Sequence, residues 1–165
     1  MAVGNQCVPL LLEQGRQVEE EHVVRAYSGE WAKAFQDEIN SSPVYKQVAA
    51  DWEGTVGLVV QAEPDRNFPS DLGVFLDLWH GAARDVRVVS PEEARAAKFV
   101  ITGAYSRWKQ VALGELEATK GIMMGRLRLK GDFPTLVRYI KASQELTRCT
   151  SRVPVSWPDE EGASS

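Results

Sequence analysis

Two histidines, two cysteines and scattered carboxylates are the groups with which this sequence could do covalent or acid–base chemistry. His80 has Asp77 and Asp85 near it in sequence, as an imidazole general base oriented by a carboxylate would require. It also stands beside Gly81 at the end of an alternating run, where a polar turn residue is the simpler reading. Neither Cys7 nor Cys149 has a cysteine or histidine at metal-ligand spacing, and the sequence contains no HExxH pair and no Gly-x-Ser-x-Gly elbow. Cys149 reads as a small buried residue, and Glu115 and Glu117 as a helix-turn surface without acid or base roles.

The stretch GIMMGRLRLKGDF, residues 121–133, offers three further chemistries. A phosphate cradle fails on spacing, because a P-loop closes on Gly-Lys-Ser/Thr and Gly125 leads instead into Arg-Leu. A nucleic-acid strip of Arg126, Arg128 and Lys130 is weakened by Leu127 and Leu129, since such alternation marks any strand with one wet face. The remaining reading is a half-buried strand whose leucines wall an apolar space. These residues call for no enzyme activity, no metal and no cofactor.

Composition agrees with that reading. With 19 Lys and Arg against 23 Asp and Glu, the 165-residue chain carries a net charge near -4, which gives no field for a phosphate backbone and no expectation of a nucleic-acid partner. The paucity of cysteine fits a reduced, cytoplasmic protein. The apolar run Val8 to Leu12 is too short for a signal peptide or a membrane span.

The elements that must position any site follow from periodicity. Residues 1–27 read as a loosely held leader. Trp31, Phe35 and Ile39 recur at spacing four on a first helix, and Ser42-Pro43 opens a second that carries Val44, Tyr45, Val48, Ala49 and Trp52. Thr55–Glu63, Gly73–Trp79 and Arg84–Val89 read as an antiparallel meander. Ser90-Pro91-Glu92-Glu93 is a capping box for a short helix, and Lys98–Ala104 is the fourth strand. Ser106–Leu113 returns to helical spacing, a second short turn follows around Glu117–Met123, and the fifth strand is the 121–133 stretch. Phe133, Leu136, Val137 and Ile140 then recur on one face of a closing helix. Residues 150–165 read as a strap and tail, leaving 28–149 as the domain. Between the fourth and fifth strands Trp108, Val111, Leu113, Leu116, Ile122, Met123 and Met124 form an apolar surplus, suited either to core or to a cavity that adapts to its ligand.

At this point a family pattern is recognisable. The run AKFVITGAYSRWKQVALGELEATKGIMMGRLRLKGDFPTLVRYI resembles the C-terminal half of the sterol carrier protein type two family, whose signature (Met/Phe)-x-Gly-Lys-(Leu/Ile)-x-(Leu/Ile)-x-Gly stands here as Met123 to Gly131, with Arg126 in the lysine position. The resemblance implies an α/β fold of the α+β type, a five-stranded mostly antiparallel sheet covered on one face by helices, with an apolar tunnel between them. It also implies non-catalytic binding and transfer of fatty-acyl, sterol-like or other lipid, with no active site to carry over.

The expected tunnel residues are Leu76, Leu78, Ile101, Trp108, Val111, Leu116, Ile122, Met123, Leu127, Leu129, Val137 and Ile140, with Met123 and Met124 at the mouth. Phe75 and Trp79 would replace Leu76 and Leu78 if that strand were turned over. The partner expected is a lipid or other apolar small molecule, and the apolar surface leaves room for transient membrane contact and for a homodimer. The alternative is a docking or accessory domain for an acyl-handling enzyme, its apolar surface closed by a partner or a second copy.

Overall fold

The computed structural model describes residues 23–160. Five strands form one sheet in the order β4-β3-β2-β5-β6: β2 (Glu53–Gln61), β3 (Leu72–Trp79), β4 (Ala82–Val89), β5 (Phe99–Ala104) and β6 (Arg128–Lys130). The expected meander is present, since β2, β3 and β4 pair antiparallel in sequence order. β5 then joins β2 in parallel and β6 closes antiparallel on β5, so the sheet is mixed but mostly antiparallel.

The β3–β4 turn is made by His80 and Gly81 alone, both at positive φ, the geometry that matches the right-handed twist of two hairpin strands. His80 is thereby fixed as a turn residue. Its Nε2 lies 2.5 Å from Glu53 Oε2 on the exposed surface.

Register decides which side chains share a face. Val56 opposes Leu76, Leu58 opposes Val74, and Leu58 opposes Ile101, so these residues all project to the same side. Leu76 and Leu78 thus share the side of Val56, Leu58 and Ile101, and Phe75 and Trp79 take the other. Seven helices surround the sheet among the described residues: α1 (Gly29–Asn40), α2 (Pro43–Val48), α3 (Pro91–Arg95), α4 (Tyr105–Ala112), α5 (Ala118–Met123), α6 (Phe133–Arg138) and α7 (Ile140–Ser151). On the Leu76 side, α7 is the centre of the layer and touches α1, α2, α4, α5 and α6. α1 is tied to the sheet edge at Ala83, whose carbonyl accepts from Gln36 and Asn40 and whose N–H donates to Asn40 Oδ1.

One helix lies on the other face. α3 packs against β2 and β3 over a small cluster of Val59, Ala94 and Val100. It can approach only because Gly57 and Gly73 have no side chains: a Cβ on Gly57 would stand 1.9 Å from the Ala94 carbonyl oxygen. The remainder of this face is wet, with Arg84 paired to Asp77 at 3.0 Å and stacked on Trp79, and Arg87 paired to Asp85 and stacked on Phe75.

Two departures from the sequence reading bear on the site. The fifth strand shrinks to Arg128–Lys130, because the chain from Ala118 to Met123 is helical. That helix ends in a Schellman motif: Gly125 sits at φ 76, its N–H donates to the Ile122 carbonyl, and the Arg126 N–H donates to the Gly121 carbonyl at 2.8 Å. The fold also extends past the expected 28–149 span at both ends. Val24–Arg25 (β1) pairs in parallel with Val155–Ser156 (β7), and Tyr27 and Trp157 are buried side by side. Residues 1–22 and 161–165, which hold Cys7, His22 and most of the expected leader, lie outside the described residues.

Candidate functional site

A cavity that offers about 110 Å³ to the centre of a water molecule lies between the sheet and the α7 layer. Its floor is Val56, Leu58 and Val60 of β2, Leu76 and Leu78 of β3, and Ile101 of β5. α1 contributes Trp31 and Phe35, α2 Tyr45, and α4 Trp108, Val111 and Ala112, while Tyr27 and Trp52 come from the segments that precede α1 and β2. The roof is Ala118, Leu136 and Tyr139 together with Ala142, Ser143, Leu146, Thr147 and Thr150 of α7. By the space a buried water needs, this volume holds a chain of about eight to ten methylene-sized groups.

The polar atoms of the wall are mostly spoken for. Trp108 Nε1 donates to the Val59 carbonyl at 2.9 Å, and Trp52 Nε1 to the Gly54 carbonyl at 3.0 Å. Ser143 donates to Glu117, Thr147 to the Ser143 carbonyl, and Thr150 to the Thr147 carbonyl. Loss of water raises the Tyr27 and Tyr45 hydroxyls well above their ordinary pKa, Tyr45 with a further push from Cys149. Both stay protonated donors at any physiological pH.

An ionic cluster around the buried Glu145 braces α7. Glu145 accepts from Ser42 Oγ at 2.7 Å and from Arg148 and Arg152 at 3.1 and 2.9 Å. Burial alone would raise the Glu145 carboxyl, but those hydrogen bonds and the Arg152 charge outweigh it and hold the carboxyl below its ordinary value. Cys149 is fully buried beside it, and burial pushes its thiol up to about 11, so it is not a thiolate nucleophile at neutral pH. Among the described residues no group of three histidine, cysteine or carboxylate side chains could hold a metal ion. No helix among them is long and apolar enough to cross a membrane.

Of the twelve residues expected from sequence, Leu76, Leu78, Ile101, Trp108 and Val111 line the cavity. Leu116 and Leu127 are buried elsewhere in the core; Leu127 fills the space left by Gly103 and Gly121. Ile122 and Leu129 pack on the core edge and Ile140 is half-buried. Met123 and Met124 are 66% and 56% exposed and do not form a mouth, because the Gly125 reversal leaves them on the solvent side of α5. Val137 is also exposed: the expected closing helix is broken at Tyr139 into α6 and α7, and the short α6 buries Leu136 alone.

The α7 residues escape sequence reasoning because their spacing of four, Ala142–Leu146–Thr150 and Ser143–Thr147, is carried by small and hydroxylated side chains rather than large apolar ones. Tyr27 escapes it because the strand just before it has only two residues, and that strand's partner, Val155–Ser156, is some 130 residues away.

Comparison with known proteins agrees with this architecture. The model of the SCP-2 sterol transfer family matches residues 32–142. A crystal structure of sterol carrier protein 2 is 37% identical, with a TM-score of 0.72 over 78% of this chain and 99% of its own. The solution structure of a conserved hypothetical protein from Thermus thermophilus is 36% identical, with a TM-score of 0.73 over 81% of this chain and 92% of its own. The apo form of sterol carrier protein 2 from Yarrowia lipolytica, 14% identical with a TM-score of 0.50 over 79% of this chain and 98% of its own, shares the fold. A search of curated proteins returns no match. With the family model spanning most of the described residues, the chain belongs to the SCP-2 sterol transfer family.

Proposed function

We propose that the protein is a non-catalytic carrier that takes up a lipid-like molecule between its sheet and its α7 layer and releases it again. The observation that carries this reading is the cavity itself: a well-packed core of this size has few voids larger than a water, whereas here about 110 Å³ stays open behind an almost entirely apolar wall. Burying about ten methylenes at about 0.8 kcal/mol each gives at most about 8 kcal/mol, which the loss of ligand freedom reduces. Binding of micromolar strength or weaker follows, suited to exchange rather than storage. The buried, protonated Cys149 thiol and the surface position of His80 support a binding role over a catalytic one. The reading includes a reduced cytoplasmic setting and brief contact with the membranes that supply and receive the ligand.

The test is native mass spectrometry of freshly purified protein, with organic extraction and identification of what is released, run beside Ile101→Glu. A co-purified apolar molecule lost from Ile101→Glu is the expected result. Protein that is free of ligand and takes up no fluorescent fatty acid refutes the carrier reading.

A second reading, an accessory domain docked on an acyl-handling partner or on a second copy, draws on Met123 and Met124, two exposed thioether side chains side by side. Sedimentation after delipidation separates the two, since a dimer without extractable lipid favours docking.

A further inference from the structure

Tyr27 and Trp31 stand together at one end of the cavity, their rings 5.0 Å apart and edge to face. Tyr27 is 7% exposed and Trp31 2%. Neither the Tyr27 hydroxyl nor Trp31 Nε1 has a hydrogen-bond partner among the described residues, although every other tryptophan N–H of the cavity wall has one. The one side-chain polar atom sealed from all open space without a partner among the described residues is Thr119 Oγ1, so the two donors of Tyr27 and Trp31 are not walled in by protein. Both residues are more than nine-tenths buried and belong to the cavity lining.

Buried tyrosine and tryptophan donors ordinarily find an acceptor, because leaving one unmet forfeits the hydrogen bond it made to water. The surroundings of this pair supply none: Tyr27 is packed against the rings of Trp31, Phe68 and Trp157. A phenylalanine would fill the same place without that penalty.

The ionic cluster beside Trp157 argues against an anionic head group. Asp159 accepts from Tyr105 at 2.6 Å, and Lys109, which lies over Trp157, is committed to Asp159 and Glu160 at 3.0 and 2.7 Å. Within that cluster one cation faces two carboxylates, which leaves no cation of the cluster over for an anionic head group. A neutral oxygen with two lone pairs, as in a ketone or ester carbonyl, is what two neighbouring uncharged donors match.

Resting on the carrier reading above, we propose that the cavity selects an apolar molecule bearing a neutral carbonyl oxygen, and that the Tyr27 hydroxyl and Trp31 Nε1 are the donors that receive it. Both residues precede the stretch matched by the family model, which begins at residue 32. Tyr45 is a further cavity hydroxyl without a partner among the described residues, but it lies past the other end of α1.

The experiment is titration calorimetry of delipidated protein with decane and with 2-decanone, on wild type, Tyr27→Phe and Tyr45→Phe. Each substitution keeps the ring, and thermal unfolding checks the fold. The expected result is that Tyr27→Phe lowers the affinity ratio of 2-decanone to decane about 10-fold, the size of one hydrogen bond to a buried donor, while Tyr45→Phe leaves the ratio within about 2-fold. Ligand-free Tyr27→Phe should also melt no lower than wild type, which a hydroxyl with a structural hydrogen bond would not allow. A ratio unchanged in Tyr27→Phe, with both probes still binding, overturns the proposal and leaves the carrier reading standing. A ratio that falls only in Tyr45→Phe overturns the assignment of the carbonyl to the Tyr27 end. Failure of both probes to bind wild type overturns the carrier reading and the proposal together.

Discussion

Filling the cavity should make the protein more stable and less useful. Ala142 lies on the α7 roof, 6% exposed and facing the open space. In a core substitution series each cubic ångström of cavity costs about 24 cal/mol, so a cavity of 110 Å³ amounts to about 2.6 kcal/mol held open in the ligand-free protein. Ala142→Leu adds three carbons, worth up to about 2.4 kcal/mol of burial, less about 0.5–1 kcal/mol for the rotamers that leucine loses. A net gain of about 1.5 kcal/mol is expected, or about 3–6 °C in Tm for a domain of this size.

Ligand should act unequally on the two proteins. At about 100-fold over its Kd a ligand stabilises wild type by about 2.7 kcal/mol, and it should stabilise Ala142→Leu hardly at all. The assay is calorimetric unfolding of both delipidated proteins, with and without 2-decanone. A variant that melts lower than wild type yet keeps the full ligand-induced shift would refute the reasoning, because the space that leucine entered would then not be the space the ligand uses.

Three further outcomes follow from the geometry. Gly57→Ala should destabilise by about 3 kcal/mol or more, read as a lower urea midpoint, since its Cβ would meet the Ala94 carbonyl at 1.9 Å and either α3 or the sheet must move. Glu145 has a carboxyl held below its ordinary pKa, so its contribution is present above about pH 4.5 and is lost as pH falls through the lower, folded value; Glu145→Gln should therefore flatten the acid side of a stability–pH curve in thermal scans from about pH 7 to about pH 3. Met123→Glu should leave ligand uptake unchanged in native mass spectrometry while Leu78→Glu abolishes it, because Met123 is exposed and Leu78 is 2% exposed on the cavity floor.

The sheet side of the site could be read from the sequence because a strand declares its faces by alternation. With Asp77 marking the wet side, Leu76 and Leu78 have to be inside. The helical side is harder. Between Ala118 and Lys130 a helix, a reversal and a short strand share one apolar-and-basic stretch, and only Gly125, in the place of a glycine just past a helix end, marks where one gives way to the next. Tyr139 breaks the last helical run without proline or glycine, so the periodicity continues in sequence across a change of direction in space. The Tyr27 end is illegible for a different reason: two-residue strands carry no pattern, and β1 acquires its conformation from β7, some 130 residues away.

That pairing has a consequence for biosynthesis. β1 leaves the ribosome among the first described residues and β7 among the last, and at roughly 5–20 residues per second the interval between them is roughly 6–26 s. Throughout it the strand that places Tyr27 has no partner, and the aromatic group of Trp157, Tyr105 and Phe68 that encloses Tyr27 is incomplete. The nascent chain therefore presents an unfinished apolar wall to whatever chaperone or lipid surface lies near the exit, and a chain stopped short of Val155 would leave that end unsealed.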